Sequence, residues 1–202
     1  MPIPRTLFSE EHDAFRDSVR RFCENELVPN TERWEEQQYV DREVWTKAGE
    51  LGFLCPTMPE NYGGFGADKC YSVVLFEELA RVNATGIGWS LHSEIVAPYI
   101  LHYGNEELKA KYLPKMATGE MIGAIAMTEP GAGSDLQGVK TTAVREGDHY
   151  LLNGSKTFIT NGYLCDLVIV VAKTDTTAGA KGISLFVVDA AMAGFIKGKP
   201  LK

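Results

Sequence analysis

The sequence has no pair of cysteines at metal-binding or redox spacing. Cys23, Cys55, Cys70 and Cys165 stand far apart, no CxxC motif occurs and no histidines fall at matching distances, so reduced thiols and no metal site are expected. An excess of positive charge is also missing. Twenty Lys and Arg against 27 Asp and Glu leave a formal charge of -7, the opposite of a nucleic-acid footprint. No apolar run approaches the roughly 18 residues of a membrane span. The stretch from Met1 to Phe8 carries neither the apolar core of a secretory leader nor an Arg-rich amphipathic presequence. A cytoplasmic, bacterial protein without a membrane span is expected, with a processed organellar protein as the alternative. There is no internal repeat, and no low-complexity segment beyond Thr174 to Ala180.

What is present is ordinary in bulk and ordered along the chain. Hydrophobic residues make up 45% and charged residues 23% of 202 positions, enough for one large or two small domains. The first 120 residues have helical periodicity. Ser9 reads as the N-cap of a segment carrying Phe15, Val19 and Phe22, which Pro29 ends. Asp41 starts a second helix with Val44, Trp45, Ala48 and Leu51 on one face and Gly52 as its stop. Asp68 caps a third, a fourth runs from about Gly88 to His102, and Asn105 caps a charged helix that Pro114 interrupts.

From Met121 the period changes to that of strands. Strand-like runs occur at Met121 to Thr128, Val139 to Arg145, Tyr150 to Leu152, Ser155 to Thr160, Leu167 to Lys173 and Ile183 to Asp189, separated by Gly-Asp, Asn-Gly and a Thr/Gly/Ala loop. Helices followed by strands without βαβ alternation predict an α+β protein, with an all-helical domain over residues 1–120 and an antiparallel β-domain over 121–202.

The informative stretch is AMTEPGAGSDLQGVKTTAVREGDHYLLNGSKTFITNG, Ala126 to Gly162. In Thr128-Glu129-Pro130-Gly131-Ala132-Gly133-Ser134-Asp135 the proline stiffens the entry, while two glycines can take φ > 0 and leave N–H groups uncovered for an anion. Two familiar nucleotide motifs do not fit. A P-loop needs Gly-Lys before Ser or Thr, and here Gly133 is followed by Ser134 and Asp135. A dinucleotide fingerprint needs a third glycine where this chain has Leu136, and a helix where a β-branched run follows.

The segment resembles the signature of the acyl-CoA dehydrogenase flavoproteins and is most similar to their long-chain branch. Ile122-Gly123-Ala124-Ile125 leads into it, and Gly182-Ile183-Ser184-Leu185-Phe186-Val187-Val188 also resembles the family. The resemblance implies FAD as cofactor, α,β-dehydrogenation of an acyl-CoA thioester, an electron-transfer flavoprotein as acceptor and a homotetramer or homodimer at full length. It also implies that the β-domain is truncated at Lys202 and that a C-terminal helical bundle, which supplies the glutamate base in the family, is absent. No catalytic residue is therefore assigned.

By the same resemblance Ile125, Met127 and Thr128 lie beside the flavin ring, and Gly133 and Ser134 approach the pyrophosphate, Ser134 also touching substrate. Phe158 covers one ring face, where many relatives carry tryptophan, and Ile159 and Thr160 supply edge contacts. His92, on a helix through Trp89, Leu91, Ile95 and Tyr99, would help to set acyl-chain length. The residue types alone favour plainer roles. Thr128 and Thr160 are common in strands, Phe158 suits a core, Ser134-Asp135 is a frequent turn pair, and a lone histidine on an apolar helix is usually a satisfied core residue. Glu129 is expected to accept backbone N–H bonds within its loop. An oxidase or monooxygenase on the same scaffold, and a non-catalytic flavin- or acyl-binding module, are the alternative readings.

Overall fold

The computed structural model describes residues 5–200. The chain divides into two compact units, one ending at Met121 and one starting at Ile122.

The first unit is helical. Helix α1 (Glu10–Phe22) begins at Ser9, whose hydroxyl accepts from the His12 N–H while His12 Nδ1 accepts from the Ser9 N–H at 3.0 Å. This is a capping box with histidine in place of the usual Glu or Gln. Pro29 does not end the helical path. A π turn (Cys23–Leu27) and a 3-10 turn (Val28–Asn30) lead directly into α2 (Thr31–Gln37), because a proline near the start of a turn needs no N–H partner. Helix α3 (Arg42–Glu50) buries Val44, Trp45 and Ala48 as expected. Leu51 instead caps the helix and is exposed.

Asp68 caps α4 (Lys69–Arg81) by accepting from the Cys70 N–H at 2.7 Å. The next helical stretch is α5 (Trp89–Leu91), a π turn (His92–Val96) and α6 (Ala97–Tyr103). Asn105 then caps α7 (Glu106–Ala117), which passes through Pro114 without a break.

A carboxylate sits inside this unit. Glu78 is almost wholly buried, yet Arg16, Arg20 and Arg81 all direct guanidinium N–H groups to it, two of them from Arg20 at 2.9 Å. Hydrogen bonds from Arg20 outweigh burial and hold its pKa at about 2.

The second unit is a five-stranded sheet: β1 (Gly123–Ala126), β2 (Thr142–Glu146), β3 (His149–Asn153), β4 (Leu167–Lys173) and β5 (Ile183–Asp189). Strand β4 is its axis. Its run LVIVVA is buried residue after residue, the pattern of a strand covered on both faces. Strand β5 pairs antiparallel along one edge of it, from Leu167↔Asp189 to Lys173↔Ile183. On the opposite edge β1 pairs parallel, ending at Ala126↔Val170, and β2 joins parallel at Thr142↔Lys173. Strands β2 and β3 form a hairpin through Gly147, whose φ of 65° suits the tight turn.

The α+β class holds, but the sheet is mixed rather than antiparallel. Forty residues separate β1 from β4, enough for the chain to return to the end at which it began, and alternation along a strand carries no information on direction. Ser155 to Thr160 is not a strand. It is an irregular segment with Phe158 at φ 56°, and it enters a turn in which Asn161 has φ 64°. Among the described residues no helix is long and apolar enough to cross a membrane.

Glu78→Gln preserves shape and removes the charge on which three arginines converge. The expected cost is about 2–4 kcal/mol, read as a lower urea midpoint at unchanged slope. An unchanged midpoint would show that the arginines contribute nothing through Glu78.

Candidate functional site

The register of the sheet creates the site. Between Ala126↔Val170 and Thr142↔Lys173 strand β4 advances three residues, about 10 Å, while the chain on its edge advances sixteen. Residues 127–141 must therefore leave the sheet as a loop and return beside their point of departure.

Glu129 closes the neck of that loop. Its backbone N–H and C=O bond those of Ala132 at 2.9 and 3.0 Å, and its carboxylate reaches across to the returning limb. There it accepts from the Lys140 N–H (2.6 Å), the Thr141 N–H (3.0 Å) and the Thr141 hydroxyl (2.5 Å). The expected backbone role of Glu129 is met, and it extends further. Lys156 Nζ, arriving from the segment after β3, donates to the same carboxylate at 2.8 Å and to the Met127 carbonyl at 3.0 Å. Burial raises the Glu129 pKa, but the bonds from Lys156, Thr141 and the Lys140 and Thr141 N–H groups overcome it and bring it down to about 2.

The two expected segments are thus joined. The Thr157 N–H also donates to the Thr128 carbonyl at 2.9 Å, so the 128–135 loop and the 155–160 segment are held side by side. A Cβ at Gly154 would overlap the Thr141 side chain; the Asn-Gly that ends β3 lets the two segments approach that closely. The second Asn-Gly closes the turn, Asn161 Nδ2 donating to the Gly123 carbonyl at 3.1 Å and the Gly162 N–H to the Ile159 carbonyl at 2.9 Å.

Each expected residue has a definite position. Ile125 lies in β1 with its side chain buried, so only its backbone can face a ligand, and Met127 and Thr128 are half-buried where the loop departs. Gly133 and Ser134 are exposed on the loop. Neither Gly131 nor Gly133 adopts a left-handed φ, and a Cβ at either would meet nothing within 4 Å. What these glycines provide is open space against the backbone, not a forbidden turn.

Phe158 is not core: it is 70% exposed and left-handed. A bulky residue at positive φ costs about 1–3 kcal/mol and persists only where the surroundings impose it. Thr160 is exposed beside it and Ile159 half-buried. Phe158, Ile159 and Thr160 border an open groove of ≈ 1080 Å³ whose other walls include Leu152, Val168, Val170, Val188 and Phe195. Thr128, Gly133 and Ser134 do not line it.

His92 belongs to the helical unit. It is fully buried, its Nε2 lies 3.0 Å from the Met116 carbonyl and its ring meets Trp45 edge-on at 5.3 Å, the setting of a satisfied core histidine. Lys156 and Thr141 were not singled out by sequence. The available signal was a lysine in the short run between the Asn-Gly and the aromatic, fewer than thirty residues beyond a buried glutamate.

Family models match both parts of the chain: "Acyl-CoA dehydrogenase, N-terminal domain" over residues 9–120 and "Acyl-CoA dehydrogenase, middle domain" over residues 124–201. The mitochondrial long-chain specific acyl-CoA dehydrogenase of Mus musculus is 56% identical over 199 residues, which are 98% of this chain and 46% of that protein. The chain thus spans about half the length of the curated relatives it matches. Among solved structures, an acyl-CoA dehydrogenase from Geobacillus kaustophilus superimposes with a TM-score of 0.91 at 52% identity, over 95% of this chain and 51% of that one. A Bacillus anthracis acyl-CoA dehydrogenase complexed with FAD does so at 0.85 and 39% identity, over 95% and 33%.

Because the Glu129 pKa lies below the ordinary 4.5, the stability it contributes is complete above about pH 4.5 and is lost as pH falls toward 2. Glu129→Gln is expected to cost about 2–3 kcal/mol at pH 7, with the gap to the parent chain closing over that window. Urea unfolding of both proteins at pH 7, 4.5 and 3 measures it. A gap independent of pH would rule out the ionised carboxylate as its source.

Proposed function

The chain belongs to the acyl-CoA dehydrogenase family, and we propose that its full-length form is an FAD-dependent enzyme that removes the α and β hydrogens of an acyl-CoA thioester. The observation that carries this reading is the pinned pair of segments, joined by the Thr157 N–H on the Thr128 carbonyl, which leaves an aromatic ring exposed in a strained backbone two residues before Thr160. Such an arrangement suits a flat heterocycle with one polar edge.

The residues fit that group. Phe158 offers an apolar face, Thr128 and Thr160 offer hydroxyl donors, and Ile125, Met127 and Ile159 offer backbone groups. Gly133 and Ser134 have uncovered backbone for a pyrophosphate, which a chain of net charge -7 must hold by local N–H donors. FAD, when bound, supplies the two-electron acceptor for the β-hydride. Ser134 is also assigned to substrate.

The base for the α-proton is not assigned to this chain. Glu129 is the carboxylate next to Thr128, but four hydrogen bonds and a pKa of about 2 make it a poor proton acceptor at neutral pH. His92 enters the proposal on the family resemblance alone, as a residue that helps to set acyl-chain length from the floor of the acyl cavity. An electron-transfer flavoprotein as acceptor and a homotetramer or homodimer are proposed on the family resemblance. The cytoplasm is proposed as compartment, in keeping with four free cysteines.

The decisive experiment uses the full-length protein with a panel of saturated acyl-CoAs. Reduction of an electron-transfer flavoprotein or dye without oxygen consumption is expected. Stoichiometric oxygen uptake would favour the oxidase or monooxygenase reading. Residues 1–202 by themselves are expected to give no dye reduction above a blank, and turnover by them would refute the assignment of the base elsewhere.

Phe158→Gly separates a cofactor-facing ring from a packing residue. Relief of the positive φ should leave stability unchanged or raise it by up to about 1 kcal/mol, while the full-length protein retains FAD at least tenfold more weakly. A stability loss above about 2 kcal/mol would instead make Phe158 a core residue.

A further inference from the structure

Sequence spacing gives no hint of a metal site, but the fold of the helical unit assembles three unlike ligand atoms from distant positions. His12, in the first turn of α1, approaches Asp68, the cap of α4 and 56 residues away, with Nε2 3.2 Å from each carboxylate oxygen. Cys70 stands two residues further on. The His12 nitrogen, an Asp68 oxygen and Cys70 Sγ all lie within 4.8 Å of one another. We propose that His12, Asp68 and Cys70 bind a divalent cation of borderline softness, Zn²⁺ by preference, through imidazole Nε2, one carboxylate oxygen and a thiolate, with water in the fourth position.

The donor set selects the ion. Nitrogen and sulfur ligands disfavour Mg²⁺ and Ca²⁺, whereas a mixed N, O, S set with tetrahedral geometry suits Zn²⁺. Carboxylate and thiolate together carry two negative charges and match a divalent ion. The ring is already oriented, since His12 is buried, its Nδ1 lies 2.9 Å from Ser9 Oγ, and the Tyr71 ring packs on it at 4.5 Å. On binding, the imidazole proton moves from Nε2 to Nδ1 and is donated to Ser9 Oγ, the outer hydrogen bond that metal-bound histidines characteristically make. The Ser9 N–H, on an exposed residue, turns to water. Asp68 Oδ1 keeps the Cys70 N–H while its other oxygen ligates.

The rearrangement is small. Bonds of 2.0–2.3 Å place tetrahedral donors about 3.3–3.6 Å apart, so the outermost atoms close by about 1 Å through rotation of the exposed Asp68 and half-buried Cys70 side chains. The thiol proton goes to solvent. No residue of the flavin-facing segments takes part, so this inference stands apart from the proposed activity.

The test is metal titration of the chelator-treated 202-residue chain with Zn²⁺ and Co²⁺, followed by calorimetry, proton release and absorption. One Zn²⁺ per chain with micromolar or tighter affinity, about one proton released, and a thiolate-to-cobalt charge-transfer band are expected. His12→Gln keeps the capping box, because glutamine is a natural partner at that position, and should weaken Zn²⁺ at least tenfold. Cys70→Ser should abolish the cobalt band and weaken Zn²⁺ similarly. Affinity weaker than about 100 µM, a parent protein without the band, or Cys70→Ser binding like the parent would each overturn the site.

Discussion

One carboxylate holds the two segments of the candidate site together. Glu129 closes a fifteen-residue excursion, 127–141, at its neck and at the same time takes the ammonium of Lys156 from a different segment. A buried carboxylate left without partners would be costly; with four donors it becomes a fixed point from which two otherwise independent loops take their positions. The strain at Phe158 follows from this constraint. A turn free to relax would not keep a bulky residue at φ 56°, and here the segment is held before Phe158 by Lys156 and by Thr157 against Thr128, and after it by Asn161 on the Gly123 carbonyl.

The helical unit uses the same device with the opposite balance of charge. Glu78 is enclosed as fully as Glu129, but its partners are three arginines whose side chains reach solvent, so it joins α1 to α4 without shaping a ligand surface. The difference lies in the donors. Guanidinium groups on helix faces fix the spacing of rods, whereas backbone N–H groups at a loop neck fix the path of the chain itself.

Local chemistry was legible in the sequence and long-range closure was not. Ser9, Asp68 and Asn105 were readable as caps because a short polar side chain before an apolar period has few other uses. Strand β4 was readable from its unbroken apolar run, and the loop of the candidate site from an unusual spacing of Gly and Pro. The direction of β1 against β4 was not readable, since side-chain alternation is identical in both orientations. Ser155 to Thr160 looks like a strand because Thr, Phe and Ile favour extended backbone, whereas bonds to distant residues, Lys156 to Glu129 and Thr157 to Thr128, hold it out of the sheet. Pro29 and Pro114 predict breaks, yet at the first the helix rewinds through a 3-10 turn and at the second it continues. The meeting of His12 with Asp68 depends on how α1 lies on α4, which no local pattern encodes.

The end-to-end placement of β1 and β2 along one edge of β4 also separates two kinds of sequence change. Because β2 is set by its own pairing at Thr142↔Lys173 and by Glu129 at the neck, the tip from Gly133 to Leu136 can gain or lose residues without shifting any strand. The neck cannot: one residue added between Lys140 and Thr142 would set the Glu129 bonds to Lys140 and Thr141 against the Thr142↔Lys173 register, so that one is lost or β2 slips and turns its faces over. Variation among descendants of this scaffold should therefore accumulate as length at the tip and as fixed spacing at the base, making the excursion a natural insertion point for reshaping the surface beside the sheet.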